Sequence, residues 1–374
     1  MKTVVAETVL LGREAFKTLG EVVVIPDRQI GPEHLKDADA LVIRSKTKVT
    51  PQLLAGSAVR FVGTATAGFE HMDFEYLESN KIGWCAAPGC NADSVADYMT
   101  SVLLTLYAKH GVELEGKTIG IIGVGQVGSR VARRAEALGL RVLLNDPPRA
   151  AREGESGFQT LEKLLAESDI VTLHVPLIKE NPWPTLKMAG GSFFEQMKRG
   201  SVFINASRGK VLDSDALLNA KKTGRIAHAV LDVWDPEPAI RADVLTAATI
   251  GTPHIAGHSF EGKLNGTIQV YNEACRFFKT APVWDPAPLL PAVVVPELKI
   301  DSRGKSDMDV LAEAASSIYD IREDQLSVQD IERFDKLRAN YRVRREFKNT
   351  TIVLSEPRPR MNHRLNGIGF ALQR

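Results

Sequence analysis

The 374-residue sequence has only three cysteines, at 85, 90 and 275. Three cannot build a disulfide framework, and their spacing is neither CxxC nor that of a zinc site. A reducing cytoplasm is therefore the expected compartment, and no metal is expected. No apolar run approaches the roughly 18 residues needed to span a bilayer. The N-terminal stretch MKTVVAETVLLGREAF has Glu7 inside its apolar part and no small-residue cleavage site, so neither a membrane role nor a signal peptide is expected. Charge of one sign is also missing. Lys plus Arg is 47 and Asp plus Glu 46, which argues against a dedicated nucleic-acid binder. Internal repeats and low-complexity tracts are absent. What remains is 44% hydrophobic and 25% charged, the composition of a globular protein of two or three domains.

Short β-rich runs alternate with helical patterns twice along the chain. Lys2–Ala6, Glu21–Ile25, Ala40–Arg44 and Arg60–Thr64 read as strands, with a helix at Arg13–Leu19. After Gly116, KTIGIIG, RVLLND, DIVTLHVP, SVFINAS and AHAVLDVW read as strands whose apolar runs suit a sheet covered on both faces. Strands linked by helices imply right-handed crossovers and parallel sheets. The expected fold is α/β, with two tandem doubly wound parallel-sheet domains and a small α+β C-terminal module. One domain is Rossmann-type for NAD and the other flavodoxin-like for substrate. A helix at 92–109 bridges the two domains, and a second at 261–278 runs back to the first. The substrate domain is then discontinuous, at 1–95 plus 257–284, with the NAD domain at 96–256. The Pro-rich stretch PVWDPAPLLPAVVVP opens the C-terminal module, 285–374. Glu297–Glu332 holds 10 acidic and 4 basic residues, and Arg333–Arg374 holds 3 acidic and 11 basic. Opposite halves of this kind can pair within a fold or across a two-fold axis, so this module is expected to make a homodimer.

Gly123-Val124-Gly125-Gln126-Val127-Gly128 sits where a strand meets a helix, and the next strand ends at Asp146, 18 residues beyond Gly128. This is the context a dinucleotide fingerprint requires. Gly123 permits the tight turn, Gly125 lets pyrophosphate approach the backbone, and Gly128 lets helix and strand pack. The helix N-terminus offers N–H groups and partial positive charge to the phosphates. Asp146 can accept from both ribose hydroxyls and would repel a 2′-phosphate, so the expected cofactor is NAD.

Three loops follow strands of this domain. Asn205-Ala206-Ser207-Arg208-Gly209 carries Arg208, LDVWDPEP carries Glu237, and GTPHIAG carries His254. Ligands of open α/β sheets bind outside the carboxyl ends of the strands, so the three side chains are expected to converge. Arg208 can hold a carboxylate bidentately. His254 can take a hydroxyl proton as hydride leaves carbon, and Glu237 can fix the imidazole tautomer. Each also has a structural reading, as a surface ion pair, a turn cap or a loop histidine. In the first domain Arg44, Ser45, Lys46 and Lys48 cluster after a strand, where they can receive a phosphate. Trp234 and Cys90 read as core, and His71 as a packing or capping residue.

NASRGKVLD, LDVWDPEP and GTPHIAG resemble the signature blocks of the D-2-hydroxyacid dehydrogenase family. IRSKTKVTPQLLAG, FVGTATAGFEHMD, AAPGCNADSVADY, IGIIGVGQVG, LNDPPRA and FDKLRANYRVRREF resemble one branch of it, and the likeness spans nearly the whole chain. It implies oxidation of 4-phosphoerythronate by NAD to 2-oxo-3-hydroxy-4-phosphobutanoate in vitamin B6 biosynthesis. It also implies Gln126, Val127, Val175, Ala206, Ser207, Asp232 and Gly257 at the cofactor, and Ser45 and Thr66 at the substrate. The sequence departs from the family's pattern at two places. Val175 follows His174 where the family commonly has Thr, so only a backbone contact to NAD survives there. His258 stands where Tyr is usual, and it can still donate a hydrogen bond to substrate. Two other functions fit the same blocks: a 3-phosphoglycerate-type dehydrogenase, and a non-catalytic NAD-sensing interaction protein. Tyr341-Arg342-Val343-Arg344-Arg345 adds three guanidinium groups, one of which is a candidate to grip the substrate phosphate.

Overall fold

A computed structural model describes residues 1–356 and 358–372. Pro357, Gln373 and Arg374, inside the expected C-terminal module, lie outside the described residues. Contacts divide the chain into two units, Met1–Asn91 with Ser259–Ala292, and Ala92–His258 with the chain from Val293 onward.

The first unit is built on five parallel strands, β1 (Lys2–Ala6), β2 (Glu21–Ile25), β3 (Ala40–Ile43), β4 (Phe61–Thr64) and β5 (Gly83–Cys85), in the order β2-β1-β3-β4-β5. That is the flavodoxin-like order. β3 and β4 are buried at every position, which explains why they read as unbroken apolar runs rather than alternating ones. The helix Phe260–Phe277 starts at Ser259, whose hydroxyl accepts from the Gly262 N–H at 2.8 Å. It returns Val270, Tyr271, Ala274 and Cys275 to this unit's core.

The second unit carries six parallel strands, β6 (Thr118–Ile122), β7 (Arg141–Asn145), β8 (Ile170–Leu173), β9 (Ser201–Asn205), β10 (Ile226–Leu231) and β11 (Ile250–Gly251), in the order β7-β6-β8-β9-β10-β11. The chain leaves β6 for one side, then returns to the other through β8, so the switch point lies between β6 and β8. Beyond β7 the loop at Gln159 bonds to the end of that strand. The Gln159 N–H donates to the Leu144 carbonyl at 2.7 Å, and Asn145 Nδ2 donates to the Gln159 carbonyl at 2.8 Å.

The C-terminal segment adds a separate parallel sheet of β12 (Glu297–Ile300), β13 (Thr351–Leu354) and β14 (Ala371–Leu372). The helices Asp307–Ile318 and Pro359–Gly367 lie in the two connections. Its side chains share one apolar cluster with the cofactor sheet. Leu106, Val131, Leu311, Leu365 and Phe370 in that cluster are each at most 1% exposed, and burying such a side chain contributes roughly 1.5–3 kcal/mol. Polar staples reinforce this packing. Arg364 donates from Nε to the Ala137 carbonyl at 3.0 Å and from Nη2 to the Leu138 carbonyl at 3.2 Å. These carbonyls end the helix Gln126–Ala137, so a cation satisfies its last acceptors and its dipole together. The acidic and basic halves of the segment pair within the chain. Arg342 bonds Glu323 and lies 3.4 Å from Asp324, and Arg364 and Arg358 lie 3.4 and 3.6 Å from Asp307.

Candidate active site

The fingerprint turn joins β6 to the helix Gln126–Ala137. Gly123 has φ 86°, and a Cβ there would lie 2.6 Å from the His174 carbonyl oxygen. A Cβ on Gly128 would lie 2.0 Å from the Gly123 oxygen. The protein's own packing therefore demands both glycines. A Cβ on Gly125, which caps the helix, would meet nothing within 4 Å, and no side chain caps the helix N-terminus. Exposed Gly125 and Gln126 and half-buried Val127 leave a backbone surface open to phosphate, which is the fit a dinucleotide needs.

Asp146 follows β7. Its Oδ2 accepts from the Val124 N–H at 2.8 Å and its Oδ1 from the Arg149 N–H at 3.0 Å. The carboxylate thus anchors the fingerprint turn, and its remaining lone pairs can meet ribose hydroxyls. Val175 follows β8, Ala206 and Ser207 follow β9, and Asp232 follows β10. Asp232 is 1% exposed. It accepts from Thr252 Oγ1 at 2.7 Å and from the N–H groups of Ile255 and Ala256 at 2.8 and 3.0 Å. Burial pushes its carboxyl up, against the opposing pull of His254 and these donors.

Three loops are knitted together beside this cradle. Asn205 is fully buried. Its Oδ1 accepts from Ser207 Oγ at 2.8 Å, and its Nδ2 donates to the Arg208 carbonyl at 3.1 Å, which folds the turn that presents Arg208. A Cβ on Gly209 would fall 1.8 Å from the Trp234 carbonyl oxygen, so glycine lets this turn rest on the Glu237 loop. Trp234, in the core as expected, donates from Nε1 to the Thr252 carbonyl at 2.9 Å and so ties in the His254 loop. Glu237 Oε1 accepts from the Trp234 N–H at 2.9 Å, and Oε2 lies 2.8 Å from His254 Nδ1. Burial pushes the Glu237 carboxyl up, but His254 and the Trp234 N–H outweigh it and hold the group below its ordinary value. An ionised Glu237 fixes the proton of neutral His254 on Nδ1 and leaves Nε2 as the basic nitrogen. His254 has φ 57°, a left-handed conformation that a side-chain-bearing residue holds only when its surroundings over-determine it. Arg208 donates from Nη1 to the Ser207 carbonyl at 2.9 Å.

Neither Thr252 nor Tyr98 stands out in the sequence. The Tyr98 hydroxyl lies 2.9 Å from Thr252 Oγ1, which in turn donates to Asp232, so the helix Ala92–His110 braces the His254 loop. The only available signal was a tyrosine inside an apolar helical run.

In the first unit Ser45 follows β3 and is exposed, and Thr66 follows β4 and is half-buried. Thr66 Oγ1 donates to the Gly68 carbonyl at 2.7 Å. His71 Nε2 lies 2.9 Å from Thr64 Oγ1, a packing role as expected. In the second unit the His258 ring meets Tyr341 edge-on at 6.1 Å. Gly257 and His258 are half-buried. Of the three C-terminal guanidiniums, Arg342 faces Glu323 and Asp324, Arg345 reaches Asn349 at 3.3 Å, and Arg344 is buried.

A strand–glycine turn–helix cradle at a sheet switch point defines a Rossmann-type dinucleotide domain, and residues 99–256 match the NAD-binding domain of D-isomer specific 2-hydroxyacid dehydrogenases. The protein is thus an NAD-dependent dehydrogenase of the 2-hydroxyacid class. The chain belongs to the erythronate-4-phosphate dehydrogenases. It is 46% identical over 354 residues to that enzyme of Cronobacter sakazakii, covering 93% of both chains, and 42% identical over 374 residues to that of Proteus mirabilis, covering 99% of both. Residues 289–369 match a domain of unknown function. Among solved structures, an Aquifex aeolicus D-lactate dehydrogenase complexed with NAD and lactic acid superposes with a TM-score of 0.63 at 28% identity. It covers 74% of this chain and 95% of its own. An NAD-bound 3-phosphoglycerate dehydrogenase of Entamoeba histolytica gives 0.63 at 28%, covering 75% and 95%.

Proposed function

We propose that the chain oxidises 4-phospho-D-erythronate to 2-oxo-3-hydroxy-4-phosphobutanoate, with NAD as acceptor, in pyridoxal 5′-phosphate biosynthesis. The observation that carries this reading is the likeness, along nearly the whole chain, to erythronate-4-phosphate dehydrogenases.

Bound NAD supplies the acceptor for the hydride that leaves C2. Arg208 holds the substrate carboxylate and the developing carbonyl oxygen. His254 Nε2 takes the C2 hydroxyl proton as the C2–H electron pair departs and the C2–O double bond forms. Glu237 keeps Nδ1 protonated and stabilises the imidazolium. Ser45, Thr66 and His258 hold the remainder of the substrate. The backbone of Gly123, Gly125, Gln126, Val127 and Gly128 holds the pyrophosphate, Asp146 the ribose, and Val175, Ala206, Ser207, Asp232 and Gly257 the rest of the cofactor. We assign substrate binding to 1–95 plus 257–284, NAD binding to 96–256, and homodimerisation to 285–374, in a cytoplasmic enzyme. Sedimentation of the full chain tests the homodimer.

The deciding assay incubates purified protein with NAD and a panel of phosphorylated 2-hydroxy acids while following NADH absorbance. Turnover is expected on 4-phosphoerythronate well above that on 3-phosphoglycerate. Faster turnover of 3-phosphoglycerate would overturn the substrate assignment, and NAD binding without turnover on any substrate would favour a sensor.

A further inference from the structure

We propose that Arg344, on the C-terminal segment, is a positioning residue for the dehydrogenase reaction, clamping the backbone that follows the base. The proposal rests on the reading of His254 as that base.

Arg344 is 4% exposed. Its Nη2 donates to the Ala256 carbonyl at 2.7 Å and to Ser94 Oγ at 2.6 Å. Ser94 Oγ donates to the same Ala256 carbonyl at 2.9 Å. The N–H groups of Ile255 and Ala256 donate to the opposite side, into the Asp232 carboxylate at 2.8 and 3.0 Å. A buried anion thus holds the N–H side of the two residues after His254, and a buried cation holds the carbonyl side. Between them the chain is pinned just where His254 takes its left-handed φ of 57°.

The arginine is costly to keep there for packing alone. Burying a guanidinium is unfavourable unless it is paired and hydrogen-bonded. Here the guanidinium lies 4.2 Å above the Tyr319 ring, and its Nε and Nη1 have no hydrogen-bond partner among the described residues. An apolar side chain would fill the space more cheaply but would leave the Ala256 carbonyl with Ser94 alone. Without the clamp the 254–256 backbone relaxes towards ordinary φ, and the imidazole turns away from the position that Glu237 and the substrate require. Small misplacements of a reacting group are enough to cost large factors in rate. The segment carrying Arg344 matches a domain of unknown function, and this contact gives it a part in the chemistry.

The test measures kcat, KM and Tm for Arg344→Gln, Arg344→Lys and His254→Gln, and for the double variant Arg344→Gln/His254→Gln. Arg344→Gln should lower kcat about 10- to 100-fold, of the order seen when a reacting group is misplaced, with KM for substrate changed much less. Arg344→Lys, which keeps the charge and a donor, should recover part of that loss. The double variant should be no slower than His254→Gln. A merely structural arginine would lower Tm and leave the turnover of folded protein unchanged. Wild-type kcat in folded Arg344→Gln, with His254→Gln inactive, overturns this proposal and leaves the base assignment standing. Activity in His254→Gln overturns the base assignment itself. If Arg344→Gln does not fold, Ser94→Ala decides, since it removes one donor from the same carbonyl. It should lower kcat several-fold, and unchanged kcat overturns the clamp.

Discussion

Replacing Glu237 by Gln separates the charge of the Glu237–His254 pair from its shape. The wild-type carboxylate serves two donors at once, the Trp234 N–H at 2.9 Å and His254 Nδ1 at 2.8 Å. Glutamine has one acceptor oxygen. If that oxygen stays with Trp234, the amide NH2 faces Nδ1, and the imidazole must place its proton on Nε2, the wrong nitrogen for a base. If it turns to His254, the Trp234 N–H loses its acceptor. Either way the imidazolium formed in the transition state loses its anionic partner. A hydrogen bond to a charged group is worth roughly 1.5–3 kcal/mol, which is about 10- to 150-fold in rate. The side chains are 22% and 29% exposed, so solvent screening favours the lower half of that range. Initial rates of NADH formation under saturating NAD are the assay, with cofactor affinity measured separately by NADH fluorescence. Cofactor affinity should be nearly unchanged. The wild-type carboxyl is held below its ordinary 4.5. As an acid with a depressed folded value, it contributes stability that is complete above about pH 4.5 and lost below it. Glu237→Gln should therefore flatten the stability–pH curve only on the acid side of 4.5. Catalysis within about threefold of wild type would refute the pairing argument, since that difference is smaller than the least valuable charged hydrogen bond.

Asp146→Ser should weaken NAD more than NADP, because a ribose acceptor is lost and repulsion of a 2′-phosphate is relieved; an unchanged preference in paired KM measurements would place selection elsewhere. Gly128→Ala puts a methyl 2.0 Å from the Gly123 oxygen, so NAD affinity by calorimetry should drop sharply while binding of substrate analogues survives. Burial pushes the Asp97 carboxyl up from 3.8 to about 6 despite Arg134, whose Nη2 lies 2.6 Å away. An acid with a raised folded value holds its proton longer when folded, so stability should fall as pH rises from about 4 to 6, by at most about 3 kcal/mol. Urea titrations of Asp97→Asn across that window should show a flatter slope.

Most strands of both large sheets were legible as apolar runs, the central ones because they are buried on two faces. β1 and β2 begin and end where the Val-rich runs do, and β3, β4, β6, β8 and β9 are buried along their length. β5 and β11 were not, having three and two residues and owing their pairing to a neighbour. The C-terminal sheet also went unread, since its three strands are separated by helices and 3₁₀ turns of mixed polarity. Arg208, Glu237 and His254 stood out because each occupies a loop just past a strand end, where position alone implies convergence. The Glu237–His254 contact is present at 2.8 Å. Asn205 and Thr252 carry no role in the sequence, and Arg344 stands there only as one of three candidates for the substrate phosphate, for a different reason. Their work is to bond backbone and side chains that hold the loops, and Arg344 and Ala256 lie 88 positions apart, a pairing that no periodicity records.

The discontinuity of the first unit has a consequence for synthesis. Its sheet is complete at Cys85, yet Val270, Tyr271, Ala274 and Cys275, which belong to its core, come from the helix Phe260–Phe277. Chains emerge at about 5–20 residues per second, so on the order of ten seconds or more separates the last strand from its missing cover. During that interval the nascent sheet exposes an apolar face next to free strand edges, a form prone to aggregation. The cofactor sheet is translated within the same interval. Rapid folding of that insert would shorten the reach the late helix must span, because a structured insert brings its two ends closer than an open loop of the same length. Variants that slow the insert are thus expected to lose soluble yield through the first unit, even where every altered residue lies in the second.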